Sequence, residues 1–325
     1  QRGAYSITLI IFTIGAVVCV TSPTIEILIF GRIMQGFSAG VIQPLVMATV
    51  ISVFPSDRRG LAMGIYGMGV TLAPSFGPLA GGLTIDAFAW RHIFIAPLPL
   101  VAIAFAMGLM FMPATKFTRK LPEFDWTGFC LLGTALICLM TGIGNGQRWG
   151  WGSDGILSLF TIGLIAASAF VFWQAHAKSP LLDLSLFLNS RFAAAMIIAF
   201  AFGAGNFATN YIIPVFTQVV QGYTATKAGS VLVPAGILLV AMIPFSGRLA
   251  DRTPPYLPIM IGVALFALAA YFLSSADVNS PFLMIIMFAV ISRFGLGLVM
   301  PNMGAAAMRA IPTERLNQAA GAYNF

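Results

Sequence analysis

The chain has 325 residues, 59% of them hydrophobic and only 8% charged, with a formal net charge of +7. An ordinary soluble domain is about 25% charged, so this composition excludes a soluble enzyme or soluble binding module. The basic residues stand singly at the ends of apolar runs rather than on one face, which excludes a nucleic-acid interface.

Apolar runs near the ~20 residues that cross a bilayer recur along the chain, the pattern of a polytopic helical membrane protein. Ten spans are predicted, at 5–21, 25–54, 61–85, 92–112, 128–143, 156–173, 192–220, 228–247, 257–273 and 282–306. The second, seventh and tenth exceed a perpendicular crossing, which predicts tilt or extension beyond the bilayer. Cys19, Cys130 and Cys138 fall within spans without metal-ligand or disulfide spacing and read as packing residues. His92 and His176 stand alone at span edges, where a structural role outweighs a ligand role. The chain begins at Gln1 without a methionine and stops at Phe325 where another helix starts, so both ends read as cuts.

Glycine and proline crowd residues 64–82 of the third span. Both destabilise a water-soluble helix, but small residues at every fourth position let membrane helices approach closely. Gly69, Ala73, Gly77 and Gly81 form such a ladder, with Pro74 and Pro78 beside it, predicting a kinked helix that packs tightly on a neighbour. Lys/Arg residues give the orientation. One side carries Arg2, Arg58, Arg59, Lys116, Arg119, Lys120, Lys178, Arg191, Arg248, Arg252, Arg309 and Arg315, and the other only Arg91, Arg148 and Lys227. The first side is therefore expected to be cytoplasmic, with both chain ends on it. The internal stretch 113–126, basic and then acidic, is the expected boundary between bundles. The outer stretch 144–155 is expected as a loop, with Trp149 and Trp151 at the headgroups.

Polar groups inside spans are functional candidates because an intramembrane charge costs at least a few kcal/mol. At 100° per residue, Arg32, Gln35, Gly36, Ala39 and Gln43 share one face of the second span. Arg32 either relays protons from a cavity-lining helix or satisfies backbone carbonyls and ties two helices together. Asn206, Asn210 and Thr217 form a stripe on the seventh span, around Pro214, that either binds a substrate or ties helices. Asn302 and Arg293 lie on the tenth span, with Arg293 close enough to an end to snorkel. No Asp or Glu lies within a span. A Ser/His/Asp set, metal cluster, phosphate loop and dinucleotide fingerprint are all absent from the sequence, so neither an enzyme nor a cofactor or metal site is expected.

These residues carry a resemblance. Gly64, Ala73, Gly77-Pro78 and Gly81-Gly82 resemble the antiporter motif of the major facilitator superfamily, with alanine in its second glycine place. Leu28, Arg32, Gln35 and Gly36 resemble its fourth-helix motif. The run Gly247 to Arg252 (Gly-Arg-Leu-Ala-Asp-Arg) resembles its internal-loop motif, departing afterwards at Thr253-Pro254-Pro255. Trp90-Arg91-His92-Ile-Phe resembles a further family motif, with Pro97 where asparagine is common. The whole chain is thus similar to the fourteen-span drug:proton antiporters of the EmrB/QacA type, as a fragment covering about spans three to twelve.

The resemblance implies an all-α polytopic major facilitator fold, truncated at both ends, with two helical bundles and an extra helix pair between them. It divides the chain into a partial N-terminal bundle at 1–112, a linker with two additional spans at 113–190, and a partial C-terminal bundle at 191–325. It implies proton-coupled efflux of amphipathic drugs by alternating access, hence antibiotic resistance, in a bacterial cytoplasmic membrane. Arg32 would be the proton-coupling residue, with its acidic partner outside the chain. Gln35, Gln43, Asn206, Asn210 and Asn302 would line the cavity. The antiporter motif would seal the side away from the cytoplasm, and Asp251 and Arg252 would serve a cytoplasmic gate. Partners would be a small-molecule substrate, protons, the lipid bilayer and a periplasmic adaptor protein. The alternatives are an uptake symporter or facilitator for a small organic solute and a transport-dead sensor or assembly subunit.

Overall fold

The computed structural model describes residues 2–54, 59–112, 124–312 and 315–324. In order it comprises α1 (Arg2–Thr21), α2 (Ile25–Val53), α3 (Arg59–Ala87), α4 (Leu98–Phe111), α5 (Trp126–Trp149), α6 (Asp154–His176), α7 (Ser190–Val219), α8 (Ala225–Ser230), α9 (Leu232–Arg252), α10 (Tyr256–Ser274), α11 (Phe282–Arg309) and α12 (Leu316–Asn324). Short 3-10 turns occupy Trp90–Phe94 and Leu184–Leu188. Among the described residues there is no strand, and nine segments are long and apolar enough to cross a membrane. The remaining expected span, the third at 61–85, is present as the 29-residue α3, but glycine, proline, serine and threonine dilute its hydropathy. The three long spans are 29, 30 and 28 residues in α2, α7 and α11. The expected boundary stretch 113–126 lies outside the described residues as far as 123.

Two boundaries differ from expectation for local reasons. The outer stretch 144–155 is mostly helix: α5 runs on to Trp149, and only residues 150–153 turn before α6. Gly150 makes the turn at φ 88°, a conformation other residues rarely adopt. The Trp151 indole folds back onto Gly146, donates to Gln147 Oε1 at 3.2 Å and stacks on Phe160. In the fourth span, Pro97 has no N–H to continue a helix, so Trp90–Phe94 forms a separate 3-10 turn and α4 begins at Leu98.

One compact unit comprises Gln1–Phe117 and Ala201–Met303. Within it α1 and α2 meet at glycines: a Cβ on Gly31 would stand 2.6 Å from Cys19 Sγ and 2.8 Å from the Gly15 carbonyl. Cys19 is fully buried there, as a packing residue. The Tyr5 hydroxyl ties α1 to α4 by donating to the Ala104 carbonyl at 3.0 Å. Ile213, Val231, Leu232, Ala235, Ile285 and Ala289 form an apolar core joining α7, α9 and α11.

The other unit comprises Thr118–Phe200 and Gly304–Phe325. Its α5–α6 hairpin is closed by Asp125, which caps α5 by accepting from Gly128 N–H at 2.8 Å. The same carboxylate accepts from Trp173 Nε1 at 2.8 Å and Gln174 Nε2 at 2.7 Å at the end of α6. Leu186, Phe192, Ala307, Ile311 and Ala319 form a second core, and the Asn189 amide donates to the Ala310 carbonyl at 2.8 Å.

Candidate functional site

The close approach expected of the third span is made, by a face other than the predicted ladder. A Cβ on Gly82 would fall on the backbone of Ala225 in α8, and one on Gly229 on the backbone of Pro78. One on Gly236 of α9 would strike the Ser75 side chain. Ser75, Pro78 and Gly82 share one side of α3 at helical spacing. Gly69, Ala73, Gly77 and Gly81 lie on the opposite side, and nothing stands within 4 Å of a Cβ built on Gly69, Gly77 or Gly81. The reason is that the glycines of α8 and α9, Gly229 and Gly236, are presented to this side of α3. The packing of Gly64 lies outside the described residues. Beside the seam, Asp86 accepts from Thr226 N–H at 2.7 Å.

On α2 the predicted polar face divides. Gln35 is buried against Gly15 of α1, and its Oε1 accepts from Arg32 Nη1 at 3.1 Å. Arg32 is exposed and lies 5.9 Å from the Phe94 ring centroid. About two turns beyond Gln35, Gln43 borders a cleft of about 350 Å³ shared with Tyr5, Ile42, Tyr66, Leu100 and Val101. Its walls are apolar with a few polar tips, the composition of a site for an aromatic or amphipathic compound.

On α7 and α11 the structure assembles a cluster. Arg293 lies ~16 Å along α11 by helix rise and is 5% exposed, so it does not snorkel. One terminal nitrogen donates to Oδ1 of Asn206 and the other to Oδ1 of Asn210. The two asparagines, four apart on α7, present their oxygens to the cation together. Arg293 is thus a site residue the sequence reading set aside. The signal for it was a mid-helix arginine without an acid, alongside a paired-amide helix. Asn302, on the opposite face of α11, is fully buried and donates to Ser246 Oγ at 2.9 Å and to the Leu298 carbonyl at 2.8 Å, which ties α11 to α9. Asp251 and Arg252 end α9, but their side chains lie outside the described residues. Among the described residues, no group of acids, histidines and cysteines could hold a metal ion.

The profile of the Major Facilitator Superfamily matches residues 1–325. The chain is 30% identical over 300 residues to the lincomycin resistance protein LmrB of Listeria monocytogenes, covering 92% of the chain and 64% of that relative. It is 29% identical over 301 residues to multidrug resistance protein 3 of Bacillus subtilis, covering 92% and 59%. It is 30% identical over 317 residues to the MFS-type transporter YhcA of the same organism, covering 98% and 59%. The chain therefore spans about 60% of the length of the curated relatives it matches. Among solved structures, a POT family transporter in complex with 5-aminolevulinic acid superposes with a TM-score of 0.67 at 14% identity, covering 99% of this chain and 72% of that one, a likeness of fold. With a family match along its whole length and an all-helical fold of membrane-spanning segments, the chain belongs to the major facilitator superfamily.

Proposed function

We propose that this chain is the central part of a proton-coupled exporter of amphipathic compounds, of the fourteen-span EmrB/QacA type, which works by alternating access in a cytoplasmic membrane. The observation that carries this reading is the seam of α3 on α8 and α9. Pro78 and Gly82 bring backbone against backbone there, and the small Ser75 side chain packs on Gly236, leaving no large side chain whose rotation would open a path. The seam joins a helix of the proposed bundle 1–112 to helices of the proposed bundle 191–325. It therefore has to part when the cavity opens on that side. The Lys/Arg-poor loops lie at that end of α3, so the seam closes the side away from the cytoplasm. The names of LmrB and of multidrug resistance protein 3 support export of toxic compounds as the activity.

In this reading Arg32 couples proton movement to the conformational change, and Gln35 holds its guanidinium in position. Gln43, Asn206 and Asn210 face the substrate path, Asn302 steadies α11, and Asp251 and Arg252 gate the cytoplasmic side. Dye efflux from cells carrying the full-length protein tests it. Efflux is expected to stop when the proton gradient is collapsed; undiminished efflux would refute the coupling.

A further inference from the structure

We infer that the Arg293–Asn206–Asn210 cluster is a subsite for the anionic, carboxylate-bearing end of the substrate, and that it disfavours a cationic amine. This rests on the transporter reading above and adds the sign of the group recognised. A guanidinium has five donors and no acceptor. Each asparagine bonded to it must therefore turn its oxygen inward, which leaves its amide nitrogen on the other side. Asn210 Nδ2 is used within α7, donating to the Asn206 carbonyl at 3.1 Å. Asn206 Oδ1 is taken by the guanidinium, so its Nδ2 is the amide donor not bonded to Arg293. Arg293 is 5% exposed and bonded to the two half-exposed asparagines, so the cluster has the Asn206 amide nitrogen as a remaining donor and is backed by a full positive charge.

Neither α7, α10 nor α11 contains an Asp or Glu. Among the described residues both hydrogen-bond partners of Arg293 are neutral amides, and none is an acid that would compensate its charge. A carboxylate forms charge-assisted, bidentate bonds to arginine about twice as strong as neutral ones. An incoming carboxylate would therefore replace one amide oxygen to advantage. The cluster also faces inward rather than toward lipid. Phe200, Phe207 and Tyr211, 71–80% exposed, lie about 100° around α7 from the amides, whereas Phe202, Ile213 and Thr217 on the amide side are buried. An intramembrane charge of this kind faces the bundle interior or a water-filled cavity.

The test is equilibrium binding to the purified full-length protein without a proton gradient, using two xanthene dyes, 5-carboxyfluorescein and cationic rhodamine 6G. Arg293→Gln is expected to weaken carboxyfluorescein binding by about tenfold, the loss of one charge-assisted contact, and to strengthen rhodamine binding, since the charge that disfavours a cation is gone. Asn206→Asp gives the arginine a stronger partner and so preserves folding. It is expected to abolish the preference for the anionic dye and to strengthen rhodamine binding. Equal losses for both dyes in Arg293→Gln, or unchanged carboxyfluorescein binding in Asn206→Asp, would overturn the inference. Because no gradient is present, dye selectivity that survives while export proves uncoupled would refute the export mechanism and leave this subsite standing.

Discussion

Gly82 in α3 and Ala225 in α8 touch through their backbones, so that a Cβ on the glycine has no place to go. Together with Gly229 on Pro78 and Gly236 on Ser75, this makes a seam whose geometry depends on the absence of side chains. Closely packed helices have two arrangements, together or apart, rather than a continuum.

Gly82→Val is expected to destabilise the closed seam by about 1–3 kcal/mol, the usual cost of overpacking. In the full-length protein it should also increase labelling, from the side away from the cytoplasm, of a cysteine introduced at Thr226. Gly77→Ala is the control: it meets nothing within 4 Å, and alanine favours a helix over glycine by up to about 1 kcal/mol. Thermal unfolding in detergent should separate the two variants. Equal stability would show that the seam is not under steric control.

The α5–α6 hairpin is predicted to be acid-sensitive through Asp125. Burial pushes its carboxyl up, but the donors of Gly128, Trp173 and Gln174 outweigh this and hold it below the ordinary carboxylate value. A carboxyl whose pKa is lower folded than unfolded stabilises fully at neutral pH. That contribution is lost as pH falls through the depressed value. Asp125→Ala should cost about 0.5–2 kcal/mol at pH 7 as a lost cap. Asp125→Asn should flatten the acid limb of a pH–stability profile. An unchanged acid limb would contradict the role given to the carboxylate.

Ser246→Ala removes the hydroxyl acceptor of the Asn302 amide, inside a contact where both residues are fully buried. The expected loss is about 0.5–1.5 kcal/mol, read as a lower unfolding temperature with little change in dye binding. A large change in binding with stability intact would move Asn302 from a helix tie to the substrate path.

Helix number, type and membrane character were legible because hydropathy and length depend only on local sequence. Which face of a helix does the packing was not. The ladder of Gly69, Ala73, Gly77 and Gly81 was the denser signal, yet the contact falls on the mixed Ser75, Pro78 and Gly82 face, chosen by the shape of α8 and α9. Arg293 shows the same limit. Its distance from the span ends was visible, but burial depends on two asparagines 83 and 87 positions away in the chain. The extension of α5 was missed because its last turns are rich in glycine, and the indole of Trp151 that covers Gly146 comes from beyond the turn.

Proton movement driven by substrate tests the account most directly. With the full-length protein in vesicles and a pH-sensitive dye inside, substrate addition is predicted to move protons opposite to the substrate. Arg32→Ala should abolish that signal while the protein remains folded. Substrate transport with no proton movement, or protons moving in the same direction as the substrate, would contradict proton-coupled export.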